Sequence, residues 1–367
     1  MVFKHTYRAY KTWLMRFSLL LACLLGLLGL FNYLVDPLWC FSHKFHLGRY
    51  RKPFDERQQK TNFLTFCNPP RYDTLILGNS RTALINQNEF AGMRAYNYSQ
   101  AGMTSYEYGE YIDYFKRTVG TPATIIIGLG FSNTVDGVKY NAEKPSHYIS
   151  LANSPFYRFK SLFTADTVHY SWDNLRIQHF IDHKKRWAGH MFYDHANVVT
   201  LIPPNDEATC QVKMQEALVE LSKSYGSGYR YRTDLKESLK KLRDDNPGSR
   251  FVVFTNPVTE RYYCTLVRAG RQPEYERWLR QMVEVFGQVW HFEYPHSIAR
   301  NQANFCDDHH PYPPVGTLLA HRMTGVPDPG IPADFGMLLT PSTIDAGLAS
   351  IRAASAACRQ EAGPDEK

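Results

Sequence analysis

Nineteen consecutive residues from Phe17 to Val35 carry no charge, and nine of them are leucine. A stretch of that length crosses the roughly 30 Å hydrocarbon core of a bilayer as a helix. A helix also satisfies all of its own backbone groups there. At roughly −0.3 to −0.6 kcal/mol per leucine, insertion is favoured. Arg16 stands at the start of the run, where its side chain can snorkel to the headgroups. Trp13, Tyr33 and Trp39 are placed to anchor the two interfaces. Phe31 to Val35 offer no small-x-small cleavage site, so an uncleaved anchor is expected rather than a signal peptide. The expected division is a cytoplasmic tail at 1–12 and a transmembrane anchor at 13–35. Lys4, Arg8, Lys11 and Arg16 precede the run and Lys44, Arg49, Arg51 and Lys52 follow it, so flanking charge is nearly balanced. Long domains translocate largely regardless of such charge, and everything after Asp36 is expected outside.

The rest of the chain has the composition of a folded domain. Of 367 residues, 21% are charged and 44% hydrophobic, which argues against disorder. The net charge of +7 is spread along the sequence, so no nucleic-acid footprint is present and no nucleic-acid partner is expected. Attraction to an anionic envelope polymer is compatible with that charge. The 24 Tyr and 22 Phe suit a carbohydrate-handling surface, although core packing accounts for aromatics equally well. Cys23 lies in the apolar run. The other six cysteines are Cys40, Cys67, Cys210, Cys264, Cys306 and Cys358. An even number fits an oxidising compartment, with up to three disulfides and fifteen possible pairings. Cys40 with Cys67 would close a local loop. No C-x-x-C occurs, which argues against a zinc ribbon or a thioredoxin-type site.

Residues 36–70 read as an irregular neck rich in aromatic and basic residues. A regular alternation then begins. Thr74–Leu77 is a short apolar run ending in glycine, as a central parallel strand would be. Ala95–Tyr98 reads as a second strand. Thr104 and Glu107 make a capping box for a helix with Tyr108, Tyr111, Ile112, Phe115 and Val119 at helical spacing. Ala123–Ile127 is the clearest strand. Residues 134–210 break the rhythm and read as a mostly helical insertion. Thr233 is expected to cap a helix bearing Leu235, Leu239 and Leu242. Phe251–Phe254 is the next strand, a helix covers Pro273–Phe286, and Val289–Phe292 is the last strand. A short helix is expected at Thr317–Met323. The extension, 326–367, carries one helix with Ile344, Leu348 and Ile351 on one face. Such alternation implies right-handed crossovers and a parallel sheet covered on both faces. Ligand sites then lie at the carboxyl ends of the strands.

Chemistry-bearing residues fall at those ends. Leu77-Gly78-Asn79-Ser80-Arg81-Thr82 presents a serine just past the first strand. It is not the G-x-S-x-G elbow, because Thr82 stands where the second glycine would be. About 230 residues later comes Asp307-Asp308-His309-His310. His310 is the natural general base, and Asp307, three residues earlier, can reach its Nδ1–H and fix the tautomer. Asp308 and His309 are one residue out of phase. Neighbouring side chains in a loop diverge, and no distant ligand set accompanies these four, which argues against a metal site. Gly102 offers an unobstructed backbone N–H, and Asn133 a side-chain amide, as oxyanion donors.

The ordered set Gly78-x-Ser80, Gly102, Gly130 with Asn133, and Asp307-x-x-His310 resembles the SGNH/GDSL hydrolase superfamily. The anchor, the Val35-Asp36-Pro37 exit and the His310-x-x-Pro313-x-Val315-Gly316 run resemble a membrane-anchored bacterial branch. That branch is similar to the alginate O-acetylation proteins and, more distantly, to the D-alanyl transfer protein of teichoic acids. The resemblance covers roughly residues 30–325. Two departures stand out: Gly-Asn-Ser in place of Gly-Asp-Ser, and Gly130-x-x-Asn133 in place of G-x-N. The resemblance implies an α/β, three-layer parallel sheet of the SGNH or flavodoxin-like kind over residues 71–325, in the periplasm, tethered to the inner membrane. It implies Ser80 as nucleophile with His310 and Asp307, an oxyanion hole at Gly102 and Asn133, and no cofactor or metal. The expected activity is serine esterase or O-acyltransferase chemistry, with acetyl as the expected group, on an envelope polysaccharide or other acylated glycan. A membrane-bound acyltransferase is a candidate partner. A non-catalytic glycan-binding or scaffolding role in a polysaccharide assembly is the alternative, and a lipid or peptidoglycan esterase differs only in substrate.

Overall fold

In the computed structural model, residues 2–67, 72–137, 143–182, 190–202 and 207–359 are described. The chain opens on helix α1 (Val2–Val35). Its segment Tyr7–Val35 is long and apolar enough to cross a membrane, and no other helix among the described residues is. The helix thus runs through most of the sequence expected to be a separate tail. It stops at Asp36, which adopts a left-handed φ of 47°. The buried Asp36 carboxylate accepts hydrogen bonds from the N–H groups of Cys40 (2.7 Å) and Phe41 (3.2 Å). It also faces the buried Arg51 guanidinium at 3.7 Å. Burial raises the Asp36 pKa to about 7 even with Arg51 beside it.

The stretch expected to be an irregular neck contains helix α2 (Glu56–Phe66). Asp55 caps it by accepting from the Gln58 N–H at 3.1 Å. Its polar residues Glu56 to Asn62 are all buried, so it has no apolar stripe by which periodicity could reveal it.

The domain beyond is mixed α/β. Its strands and helices alternate as β1 (Thr74–Leu77), α3 (Ser80–Ala83), β2 (Ala95–Asn97), α4 (Tyr108–Thr118) and β3 (Thr124–Leu129). An insertion follows, with α5 (Pro145–Ala152), α6 (Tyr157–Lys160), α7 (Ala165–Asp182), an antiparallel hairpin β4 (Met191–Tyr193) and β5 (Val199–Leu201), and α8 (Glu207–Tyr225). The hairpin is an addition to the helices expected there, and Arg51 bridges to its Tyr193. The basic run at 183–186 lies outside the described residues. The chain then returns through α9 (Leu235–Asp244), β6 (Arg250–Thr255), α10 (Glu260–Arg268), α11 (Gln272–Phe286), β7 (Val289–His291), α12 (Ser297–Arg300), α13 (Pro313–Thr324), β8 (Met337–Leu339) and α14 (Ile344–Ala354). The residue before α9 is Asp234 rather than Thr233, and its side chain caps nothing. Arg232 holds that carboxylate instead, at 2.9 Å.

The six-stranded sheet has the order β2-β1-β3-β6-β7-β8. All pairings are parallel except β7 with β8. Both faces of the central strands are buried, which is why they read as continuous apolar runs. Leu75, Leu77, Ile125, Ile127 and Val253 join one core with Tyr111, Ile112, Phe115, Leu239, Trp278 and Met282. Ile76, Ile126 and Phe254 point the other way, against Ile85, Phe90, Val315 and Leu319. Each such side chain contributes roughly 1.5–3 kcal/mol by leaving water.

Cys264 and Cys358 form a disulfide across 94 residues, tying α10 to the end of the chain. The expected Cys40–Cys67 bridge does not form. Both thiols are free, and each turns to a backbone carbonyl, Cys40 to Leu38 and Cys67 to Trp39. Cys264→Ser is expected to destabilise the detergent-solubilised chain by about 2–4 kcal/mol. Urea unfolding followed by tryptophan fluorescence measures this, and an unchanged midpoint would show that the bridge contributes nothing.

Candidate active site

Ser80 owes its position to the turn after β1. Gly78 has no room for a side chain: a Cβ there would lie 2.3 Å from Thr82 Oγ1 and 2.9 Å from the Gly128 carbonyl oxygen. The chain therefore bends tightly over β3. Asn79 then opens α3, its side chain accepting from the Arg81 N–H at 3.1 Å. The departure from G-x-S-x-G has a local explanation. Thr82 packs under Gly128 and donates to Asn256 Oδ1 at 3.1 Å, so it fastens the serine turn to the end of β6. Ser80 is left at the first turn of a helix, partly exposed.

His310 and Asp307 reach the same edge through a loop closed on itself. Phe305 bridges to Pro311, and the Cys306 N–H donates to the His310 carbonyl at 2.9 Å. Thr259 holds the loop from outside, its N–H (3.0 Å) and hydroxyl (2.8 Å) both donating to the Asp308 carbonyl. Within the loop, Asp307 Oδ1 accepts the N–H groups of His309 (2.9 Å) and His310 (2.8 Å). Its Oδ2 lies 2.7 Å from His310 Nδ1. On the other side of the ring, Nε2 lies 2.8 Å from Ser80 Oγ, across 230 residues of sequence.

The charges in this chain are ordered. Burial disfavours an ionised Asp307, but the hydrogen bond from His310 and the nearby imidazoles outweigh it and hold the carboxyl well below its ordinary range. An ionised carboxylate only accepts, so the proton between Asp307 and His310 sits on Nδ1. Nε2 then carries the lone pair, and Ser80 donates to it. Burial, assisted by His309, lowers the His310 pKa against the opposing pull of Asp307. The imidazole is therefore neutral and basic toward Ser80 near pH 7.

His309 and Asp308 form a pair of their own, Nδ1 to Oδ1 at 2.5 Å. The His309 ring lies 4.1 Å from that of His310, centroid to centroid. Asp307, His309 and His310 present ligand-type atoms within 4.8 Å of one another. Those of Asp307 and His310 are already engaged with each other, so a cation there would have to break the chain to Ser80.

Gly102 lies in the loop after β2, at a left-handed φ of 64° that favours glycine. The loop is held beside the serine turn by the Gln100 N–H, which donates to the Gly78 carbonyl at 3.1 Å. Asn133 lies in the turn after β3. Its Oδ1 accepts from the Gly130 N–H at 3.0 Å, so its oxygen shapes its own turn. Its amino group has no partner among the described residues. The Gly130 turn rests on Arg81, whose Nη2 a Cβ at Gly130 would meet at 2.2 Å and which donates to Ser132 Oγ at 3.1 Å. The Phe131 N–H donates to the buried Glu293 carboxylate at 3.1 Å. Burial raises the Glu293 pKa to about 7 despite Arg81.

Sequence reasoning missed the machinery that holds the Gly102 loop. Helix α2 grips that loop through three charged side chains. Glu56 Oε2 accepts the Ala101 N–H at 2.6 Å. Arg57 donates to the Ala101 carbonyl at 3.0 Å and pairs with Glu107 at 3.0 Å. The fully buried Lys60 donates to the carbonyls of Asn97 (3.2 Å) and Ser99 (2.6 Å). No motif marks these residues. A polar sequence directly after a Ser or Asp cap was the one available signal. Glu56→Ala leaves the Ala101 N–H unpaired and should cost about 1–3 kcal/mol. A thermal melt of the detergent-solubilised variant tests this, and a wild-type melting temperature would show the grip to be energetically idle.

No protein-family model matches the chain, and no curated protein matches it at a significant level.

Proposed function

We propose that the chain is a membrane-anchored, periplasmic serine esterase or O-acyltransferase of SGNH type, with a three-layer α/β domain. Its substrate class is an acylated envelope glycan, with acetyl as the transferred group. One observation carries the reading: the continuous hydrogen-bonded path Ser80–His310–Asp307, assembled from opposite ends of the domain. A nucleophile, a base and an orienting acid in that order are what acyl transfer requires.

In the proposed reaction Ser80 Oγ attacks the acyl carbonyl as its proton passes to His310 Nε2. Asp307 stabilises the resulting imidazolium and stays ionised. The oxyanion faces the Ser80 N–H at the start of α3, the Gly102 N–H and the Asn133 amino group. His310 then protonates the departing alcohol, leaving an acyl-Ser80. Attack by water on that ester gives hydrolysis, and attack by a glycan hydroxyl gives transfer. The membrane helix keeps the site near exported polymer and near a membrane-bound acyl donor.

Ser80→Ala is expected to lower the rate on p-nitrophenyl acetate by about 10³–10⁶-fold. Wild-type activity in that variant would sink the assignment and favour the scaffolding alternative. The rate should also fall on the acid side as His310 protonates. Because its pKa is lowered, the midpoint of kcat/KM against pH should lie below the ordinary histidine value of about 6.5. A midpoint at or above that value would contradict the proposed base.

A further inference from the structure

A second surface bears on the membrane. Helix α6 and the turn after it pack on the last turns of α1. Asn32 Nδ2 donates to the Leu162 carbonyl at 2.7 Å, and a Cβ at Gly29 would lie 3.1 Å from the Phe163 ring. Gly29 and Asn32 belong to the uncharged run Phe17–Val35. A segment seated on that run shares its surroundings.

The composition of the segment fits those surroundings. Phe156, Phe159 and Phe163 are 73%, 48% and 51% exposed, a cost in water and none in lipid. Phe156 adopts a left-handed φ of 60°, unusual for a bulky residue, and its ring projects from the surface. Arg158 and Lys160 are interspersed with these phenylalanines in sequence. No carboxylate pairs with either among the described residues. The Arg158 guanidinium lies over the rings of Phe159 (4.7 Å), Phe66 (5.6 Å) and Phe41 (5.8 Å). Aromatic and basic residues mixed on a short surface element are the pattern of interfacial membrane binding. Between the segment and α1 runs a groove of about 570 Å³, walled by Leu25, Gly26, Gly29, Leu30, Phe159 and Phe163. One wall is α1, whose segment Tyr7–Val35 is long and apolar enough to cross a membrane.

We propose that Phe156–Phe163 is a second membrane-seated element and that the groove takes an acyl chain of an anionic phospholipid, its phosphate meeting Arg158 and Lys160. This stands independently of the chemistry at Ser80. It also makes the insertion a brace that fixes the tilt of the domain over the bilayer.

The test uses the full chain in nanodiscs of mixed phosphatidylglycerol and phosphatidylethanolamine. The photocrosslinker p-benzoylphenylalanine replaces Phe156, Phe159 or Phe163 in turn. It also replaces Tyr106, which is 61% exposed and sits beside Asp234, as the aqueous control. After irradiation, lipid adducts are read by intact mass. Yields at the three phenylalanine positions should exceed that at Tyr106 by about tenfold or more, with phosphatidylglycerol captured preferentially. The pair Arg158→Glu and Lys160→Glu should abolish that preference while adducts persist. Yields at the Tyr106 level, equal capture of the two lipids by the unsubstituted basic pair, or capture of another protein in place of lipid in native membranes would each overturn the proposal.

Discussion

Parallel pairing of β1, β3 and β6 is the constraint from which the site follows. In this register Leu77 stands beside Ile127, and Ile127 beside Val253. The chain therefore leaves these strands at one edge of the sheet. The serine turn, the Gly130–Asn133 turn and Asn256 emerge there together. Close approach is enforced by what is missing: neither Gly78 nor Gly128 leaves space for a Cβ beside Thr82. The loop bearing Asp307 and His310 is closed by its own hydrogen bonds and is pinned by Thr259 at the start of α10. Two turns remote in sequence thus meet at hydrogen-bond distance without either needing a long flexible arm.

A second constraint links that edge to helix α1. Gln59 donates to the carbonyls of Pro37 (2.8 Å) and Lys52 (2.9 Å), and Asn62 to that of Leu38 (2.8 Å). The same helix holds the loop of Gly102 through Glu56, Arg57 and Lys60. Helix α2 is therefore joined on one side to the residues leaving α1 and on the other to an edge of the site. Its charges are buried and individually costly, since burial alone lowers the Lys60 pKa to about 8 even with Glu56 nearby. Buried charge of this kind is tolerated where partners are supplied, and here they are backbone groups of the loop, the Glu107 carboxylate for Arg57 and the Tyr193 hydroxyl for Glu56. The position of the domain relative to α1 rests on these polar contacts together with apolar ones, the Phe163 ring on Gly29 and Trp39 against Phe63.

Much of the sheet was legible because its signals are local. Thr74–Leu77, Ala123–Ile127 and Phe251–Phe254 are apolar, short and bounded by glycine or proline, and each lies within or across a strand of the sheet. The helix with Tyr111, Ile112 and Phe115 declares itself by spacing. The three residues that meet, Ser80, His310 and Asp307, stood out for a different reason: serine after a strand and D-x-x-H carry chemistry in their residue types. Helix α2 was not legible, because its first seven residues, Glu56 to Asn62, are polar and yet buried, a composition that local pattern assigns to solvent. The edge strand β8 was missed because Met337–Leu339 is three residues long and follows a proline-rich loop. The free thiols of Cys40 and Cys67 depend on where two side chains turn, which spacing in sequence does not encode.

The central claim is that Ser80 is an activated nucleophile and not merely a turn serine with a histidine neighbour. Activation depends on the folded arrangement, so the most direct measurement is covalent capture of that hydroxyl. A fluorophosphonate probe added to the folded full-length chain should give one adduct, mapped by peptide mass to Ser80. The adduct should be absent after denaturation and absent in His310→Ala. No adduct on the folded chain, or an adduct elsewhere that leaves Ser80 unmodified, would contradict the account.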